Sequence, residues 1–124
     1  MLAVARILFC EDNPTIRRLL EVALRGSPYE VRIAPDGAAG LALAESWLPD
    51  LIVTDISMPD MDGFALVAAV RAHPALAAVP VLVMSATMER DKLQSIVEQG
   101  ANGFLTKPFS PQSLRDAIAA HLPA

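Results

Sequence analysis

The sequence predicts an α/β protein in which five parallel strands form one doubly wound sheet, covered by helices on both faces. Short apolar runs rich in Val, Ile and Leu alternate along the chain with segments of helical spacing. The connections are short, and a strand joined to the next through a helix makes a right-handed crossover to a parallel neighbour. With 124 residues, 53% of them hydrophobic, the chain suits one core, so we predict a single domain over residues 1–124.

The predicted strands are the apolar runs 4–10, 29–34, 51–54 and 79–84, with a weaker run at 104–106. The first and third are almost continuously apolar, which is typical of strands that helices cover on both faces. We therefore expect these two strands in the middle of the sheet.

One helix is predicted after each strand. The first has apolar residues at positions 16, 19, 20, 23 and 24, which share one helical face. Asn13-Pro14 and Ser110-Pro111 each combine a capping side chain with a proline suited to the first helical turn. Gly26 and Gly100 are predicted as C-terminal stops.

Composition excludes several classes of function. A net charge of −4, a pI near 5.0 and only two lysines leave no basic stripe for phosphates, so direct nucleic-acid binding is not expected. The single Cys10 excludes an internal disulfide framework and favours a reducing compartment, so we predict a cytoplasmic protein. The first apolar run is short and is soon followed by acids, so neither a signal peptide nor a membrane span is expected.

Polar side chains follow the predicted strands where these end. Glu11 and Asp12 come after the first strand, Asp55 ends the third, Ser85 the fourth and Lys107 the fifth. The carboxyl ends of parallel strands meet at one edge of a sheet, where ligands of open α/β proteins bind. An acid after a strand can also simply cap the next helix. All five residues at one edge, however, indicate a site.

Asp55 is the most informative of these residues, because a carboxylate at the end of a buried strand needs a partner. Two like charges about 4 Å apart repel by roughly 4 kcal/mol at an effective dielectric of 20, so Asp12 and Asp55 together favour a bound cation. The available ligands are oxygens without a Cys or His cluster, which favours Mg²⁺ over Ca²⁺. Lys107 supplies a positive charge for a transferring phosphoryl oxygen. This combination predicts a phosphoacceptor.

The chain also resembles a known family through four segments in order: ILFCEDNPTIRRLL, LIVTDISMPDMDG, VPVLVMSA and GANGFLTKPF. Together they resemble the bacterial response regulator receiver domain of the chemotaxis-regulator kind, over residues 4–122. The resemblance implies a flavodoxin-like (βα)5 fold with strand order 2-1-3-4-5. It also implies a regulatory phosphoacceptor that catalyses only its own phosphoryl transfer and slow autodephosphorylation.

The resemblance implies a role for each acid. Asp55 would accept a phosphoryl group from a phosphohistidine on a sensor histidine kinase or phosphotransfer protein. Asp12 and Asp55 would bind Mg²⁺ directly, Glu11 would act through its waters, and the backbone carbonyl of Ser57 would complete the ligands.

The resemblance also implies how the phosphoryl group is bound and sensed. Ser85 and the backbone amide of Ala86 would contact the phosphoryl oxygens, and Lys107 would bridge Asp55 to the phosphate. A cis bond between Lys107 and Pro108 would aim the Lys107 ammonium at Asp55. Phe104 would turn inward as a switch, although a Phe packed under the fourth helix in one rotamer is an alternative. The fourth helix, fifth strand and fifth helix would contact an output domain or partner, in a monomer or a phosphorylation-dependent dimer.

The same residues admit other interpretations. A receiver fold could serve only as a protein-interaction module that is never phosphorylated. The DMDGF segment at 60–64 resembles the nucleophile motif of haloacid-dehalogenase-like phosphatases and part of a calcium loop, but it lies past the third strand and lacks the later Glu. A flavodoxin-like redox protein would share the strand order but need a phosphate-binding loop after the first strand.

Overall fold

The computed structural model describes residues 4–86 and 90–122. Strands and helices alternate along this part of the chain. Their bounds are β1 Arg6–Cys10, α1 Pro14–Ala23, β2 Glu30–Ala34, α2 Gly37–Trp47, β3 Leu51–Asp55, α3 Gly63–Ala72, β4 Val81–Ala86, α4 Arg90–Gln99, β5 Gly103–Lys107 and α5 Pro111–His121.

The five strands form one parallel sheet in the order β2-β1-β3-β4-β5, which confirms the predicted fold class and strand order. The chain runs outward from β1 to β2 and then returns to β3 on the other side of β1. The order therefore reverses between β1 and β3, and a crevice opens there at the carboxyl ends of the strands.

Helices cover both faces of the sheet, as the apolar runs of the central strands predict. Successive strand residues point to opposite faces, so each central strand contributes to two hydrophobic clusters. One cluster joins the sheet to α2, α3 and α4 and includes Leu8, Ile52 and Val83. The other joins it to α1 and α5 and includes Phe9, Val53 and Met84.

The helix starts predicted from Asn13 and Ser110 are confirmed. The Asn13 side chain accepts hydrogen bonds from the backbone amides of Thr15 and Ile16, and Ser110 forms a capping box with Ser113. The stop predicted at Gly26 is a few residues late, since α1 ends at Ala23. The amide of Arg25 bonds to the carbonyl three residues back, at 3.3 Å from Val22 O, so a tighter turn replaces the last helical turn before Gly26.

The fourth and fifth strands differ at their bounds from the apolar runs. β4 spans Val81–Ala86 instead of 79–84, and β5 spans Gly103–Lys107 instead of 104–106. The reason is cross-strand pairing, which matches Ser85 with Thr106 and Ala86 with Lys107. None of the helices in the described part of the chain has the length and apolar character that a membrane span requires.

Candidate functional site

The register of the sheet brings the carboxyl ends of the inner strands together. Cys10 pairs with Thr54 and Asp55 pairs with Met84, so Glu11, Asp55 and Ser85 meet at one edge. Carboxylate oxygens of Glu11, Asp12 and Asp55 lie within 4.8 Å of one another. The acids predicted to lie close together do so.

Lys107 connects two of these acids. Its Nζ lies 2.7 Å from Glu11 Oε1 and 3.1 Å from Asp55 Oδ2. The Glu11 side chain is completely buried, whereas 20% of the Lys107 side chain is exposed. The sequence predicted the approach of Lys107 to Asp55, but not its shorter contact with Glu11.

Burial and charge shift the pKa values of this pair. Burial raises the pKa of Glu11 above its ordinary value of 4.5; the hydrogen bond from Lys107 opposes that rise, and the charge of Asp55 adds to it. Burial alone would lower the pKa of Lys107, but the hydrogen bond to Glu11 and the charge of Asp55 outweigh it, so this pKa is raised above 10.5. Lys107 is therefore a firmly charged ammonium beside Asp55.

Asp12 is exposed at the mouth of the crevice. No described residue donates a hydrogen bond to its carboxylate, whereas Glu11 accepts one from Lys107 and one from the Asn13 amide at 3.2 Å. Asp12 also borders an open pocket of about 420 Å³, lined by Asp12, Ile56, Ser57, Met58, Pro59, Asp62, Phe64 and Lys92. Ser57 thus shares a cavity with one acid of the cluster.

The backbone after β3 is held closely around Asp55. The Asp55 carbonyl accepts a hydrogen bond from Thr54 Oγ1 at 3.0 Å, and the Gly63 amide donates to Ile56 O at 2.7 Å. A Cβ on Gly63 would lie 2.8 Å from the Asp55 carbonyl oxygen, so only glycine allows this approach. The start of α3 therefore packs directly against the backbone of Asp55.

The acids of the DMDGF segment have structural roles. Asp62 caps α3 by accepting a hydrogen bond from the Ala65 amide at 2.9 Å, and Asp60 occupies a turn with φ of 66°. Neither lies at the end of a strand. This placement agrees with setting aside the phosphatase motif and the calcium loop.

Ser85 and Phe104 occupy the side of the site next to β5. Ser85 is buried, and its hydroxyl donates a hydrogen bond to the carbonyl of Ala86 at 3.1 Å. Phe104 is 50% exposed, so its side chain is not enclosed beneath α4 in this structure. The loop after β4, which would follow Ser85 in a switch, is residues 87–89 and lies outside the described residues.

One other sequence prediction is confirmed. The Lys107–Pro108 bond is cis. Cys10 is buried, and burial raises the pKa of its thiol to about 12, as expected of an inert cysteine. Trp47 is a packing residue, 7% exposed, with the Arg32 guanidinium 4.6 Å from its ring centroid.

Two arginines in important positions were not found by sequence reasoning. Arg17 donates hydrogen bonds to the carbonyls of Glu11 and Asp12, and Arg71 donates to carbonyls of the α3–β4 and α4–β5 connections. One signal was available for Arg71, because it is the only charged residue within the apolar segment of α3.

The family of the chain follows from its similarity to known proteins. A family model described as the response regulator receiver domain matches residues 7–119. The chain belongs to this family. Receiver domains act in two-component signal transduction as regulatory domains, not as enzymes in the usual sense.

The receiver domain is similar to curated proteins of different lengths. It is 37% identical over 114 residues to the chemotaxis protein CheY of Pseudomonas aeruginosa, a match that covers 91% of this chain and 92% of that protein. It is 38% identical over 114 residues to the sensor histidine kinase TmoS of Ectopseudomonas mendocina, a match that covers 92% of this chain but only 12% of TmoS. It spans 48% of the transcriptional regulator RpaA of Synechocystis, at 37% identity over 94% of this chain. The chain therefore covers less than half the length of several curated relatives.

Solved structures show the same architecture. The chemotaxis protein CheY4 of Vibrio cholerae superposes with a TM-score of 0.90 at 35% identity, over 97% of this chain and all of that one. The receiver domain of the sensor histidine kinase PA1611 of Pseudomonas aeruginosa has a TM-score of 0.87 at 28% identity, over 96% of this chain and 98% of that one. That structure contains a magnesium ion coordinated in its active site cleft.

Proposed function

We propose that this receiver domain, residues 1–124, accepts a phosphoryl group on Asp55 from the phosphohistidine of a sensor histidine kinase or phosphotransfer protein. A carboxylate oxygen of Asp55 attacks the phosphorus, the bond from phosphorus to the imidazole nitrogen breaks, and an acyl phosphate forms. The observation that carries this proposal is Lys107 Nζ at 3.1 Å from Asp55 Oδ2, beside carboxylates within 4.8 Å of one another. The reaction takes place in the cytoplasm.

The donor set fits Mg²⁺. Glu11, Asp12 and Asp55 offer carboxylate oxygens at one point of the crevice, and hard cations prefer oxygen ligands. Asp12 and Asp55 would bind the ion directly, Glu11 through waters, and Ser57 through its backbone carbonyl. Bound Mg²⁺ supplies positive charge that neutralises the phosphoryl oxygens. The magnesium ion in the PA1611 receiver domain supports this assignment.

The remaining polar groups would bind the phosphoryl oxygens. Ser85 would exchange its present bond to the Ala86 carbonyl for a bond to the phosphoryl group, and the Ala86 amide and Lys107 ammonium would donate beside it. Phosphoryl transfer depends mainly on positioning and charge neutralisation, so these groups suffice without a separate base.

The proposed output is a change on the face formed by α4, β5 and α5. Movement of Ser85 toward the phosphoryl group opens space that Phe104, now half exposed, fills by turning inward. This face then contacts an output domain or partner protein, in a monomer or in a phosphorylation-dependent dimer. We expect no direct contact of this domain with nucleic acid or with a membrane.

The test is incubation with a small-molecule phosphodonor and Mg²⁺, followed by intact mass spectrometry. The unmodified chain gains one phosphoryl group, and a chelator prevents the gain. Asp55→Asn gains none. Absence of any gain in the unmodified chain would contradict the proposal and favour the alternative, a receiver fold that acts only through protein contacts.

A further inference from the structure

The side chain of Arg17 contacts the backbone that carries two acids of the crevice, Glu11 and Asp12. From α1, its Nη1 donates hydrogen bonds to the carbonyl of Glu11 at 3.2 Å and to the carbonyl of Asp12 at 3.0 Å. These two peptides form the short connection between β1 and α1. No other described side chain donates to these two carbonyls. Arg17 thus fixes the backbone from which two of the acids extend.

The hydrogen bond to Asp12 also orients the carboxylate of Glu11. In a trans peptide the carbonyl and the amide point in opposite directions, so the Asp12–Asn13 peptide that faces Arg17 with its carbonyl faces away with its amide. That amide, on Asn13, donates to Glu11 Oε2 at 3.2 Å, and Lys107 donates to Glu11 Oε1 at 2.7 Å. Arg17 therefore acts on the Glu11 carboxylate through one peptide.

The position of the Asp12 carboxylate depends on this backbone more strongly than that of the Glu11 carboxylate. Its carboxylate accepts no hydrogen bond from the described residues and is exposed, so no described side chain fixes its direction. Its distance from Glu11 and Asp55 is then set by the conformation of the β1–α1 connection. A guanidinium is well suited to fix such a connection, because the two N–H groups of Nη1 lie in one rigid plane and the group is always charged.

We propose that Arg17 is a positioning residue for the metal site, which holds the Glu11–Asn13 backbone so that Glu11 and Asp12 face Asp55 in the arrangement that binds Mg²⁺. This inference rests on the proposed function, because it takes the three acids to be the site of the ion. Arg17 itself touches neither the ion nor the phosphoryl group.

The experiment compares Arg17→Gln with Arg18→Gln by calorimetric titration with Mg²⁺. Both variants lose one positive charge at adjacent positions of α1, but Arg18 is exposed, and its one ion pair among the described residues is with Glu21, at 3.3 Å. Loss of a nearby positive charge by itself strengthens cation binding, whereas loss of a positioning residue weakens it. The two effects on Mg²⁺ affinity therefore have opposite signs. We expect Mg²⁺ affinity to fall by about tenfold in Arg17→Gln, as for other groups that orient metal ligands. Arg18→Gln should stay within about twofold of the unmodified chain.

A kinetic readout separates positioning from general damage to α1. Because Arg17 acts on the metal ligands, the concentration of Mg²⁺ that gives half-maximal phosphorylation rises in Arg17→Gln, while the rate at saturating Mg²⁺ returns close to that of the unmodified chain. Equal Mg²⁺ affinity in Arg17→Gln and Arg18→Gln, or a loss of rate that Mg²⁺ does not restore, would overturn the inference alone. Absence of Mg²⁺ binding in the unmodified chain would overturn the proposed function, and this inference with it.

Discussion

Two partly buried cations lie at opposite edges of the sheet and have opposite kinds of partner. At the edge formed by the amino ends of the strands, Arg71 donates to Gly100 O, Ala77 O, Val79 O and Asn102 Oδ1 at 2.7–3.2 Å. At the carboxyl edge, Lys107 contacts carboxylates, those of Glu11 and Asp55. The arginine is thus surrounded by neutral dipoles, and the lysine by charges.

This difference in partners indicates at which edge the charges change with pH and with ligand. Carbonyl oxygens keep their charge distribution at every pH and with every ligand, so Arg71 fixes the connections after α3 and α4 permanently. Carboxylates can bind a proton, a metal ion or a phosphoryl group, so the partners of Lys107 change with the state of the site. The same contrast explains why burial lowers the pKa of Arg71, whereas the acids raise that of Lys107.

The largest expected effect is a difference in phosphorylation between variants at the two edges. Asp55→Asn should abolish phosphorylation, because an amide oxygen is not the nucleophile that a carboxylate is, whereas Arg71→Gln should still be phosphorylated. Intact mass after incubation with a phosphodonor and Mg²⁺ measures both. A folded Arg71→Gln variant that accepted no phosphoryl group would contradict this difference between the two edges.

The free energy of unfolding should be affected in the reverse order, more by Arg71→Gln than by Asp55→Asn. Arg71→Gln leaves carbonyls of Val79 and Gly100 without their donor and should lower the free energy of unfolding by about 2–4 kcal/mol. Asp55→Asn removes one negative charge from a crowded cluster and should not lower it. Urea unfolding at pH 7 without Mg²⁺ tests this pair, and a loss in Asp55→Asn as large as that in Arg71→Gln would contradict it.

Phosphorylation should change hydrogen exchange on the face that includes α4 and β5, and leave the connection fixed by Arg71 unchanged. Amides of α4 and β5 should change protection, whereas those of Gly100 and Ala101, whose connection Arg71 fixes, should not. One charge-assisted hydrogen bond contributes about 1.5–3 kcal/mol, so the shift is partial. Ser85→Ala should accept the phosphoryl group on Asp55 but lose most of the change at Phe104. Unchanged protection of α4 and β5 in the phosphorylated, unmodified chain would contradict the proposed switch.

The smallest expected effect is a difference in pH dependence. Without Lys107 the pKa of buried Glu11 should rise further, because the hydrogen bond that opposes the rise is gone. A folded-state pKa above the unfolded value means stability that is present at low pH and lost as the pH rises through the folded-state pKa. Lys107→Met should therefore lose about 1 kcal/mol or more relative to the unmodified chain between pH 5 and pH 8.

Arg71→Gln is the matched control for this titration, since Arg71 has no ionisable partner among the described residues. The stability difference between Arg71→Gln and the unmodified chain should stay constant from pH 5 to pH 8. Urea unfolding in Mg²⁺-free buffer measures both variants. A constant difference for Lys107→Met as well would show that Glu11 does not depend on Lys107.

Much of the fold was predictable because it depends on local patterns. Apolar runs gave the strands to within two residues, and the caps at Asn13 and Ser110 gave two helix starts, since capping is a contact between near neighbours. The bounds of β4 and the end of α1 were less accurate. The former depends on pairing with β5, and the latter on a turn that competes with the last helical bond.

The sequence by itself determined which residues lie at the site. The order of the chain places Glu11, Asp55, Ser85 and Lys107 at the ends of strands, and parallel strands bring those ends to one edge. Only the tertiary structure decided the hydrogen-bond partners. Lys107 contacts Glu11, which is 96 positions away, and Arg71 contacts Gly100, which is 29 positions away. Arg17 contacts the β1–α1 connection that precedes its own helix. A hydrogen bond depends on distances within about 3.2 Å and on direction, which packing sets and a pattern of residue types does not contain.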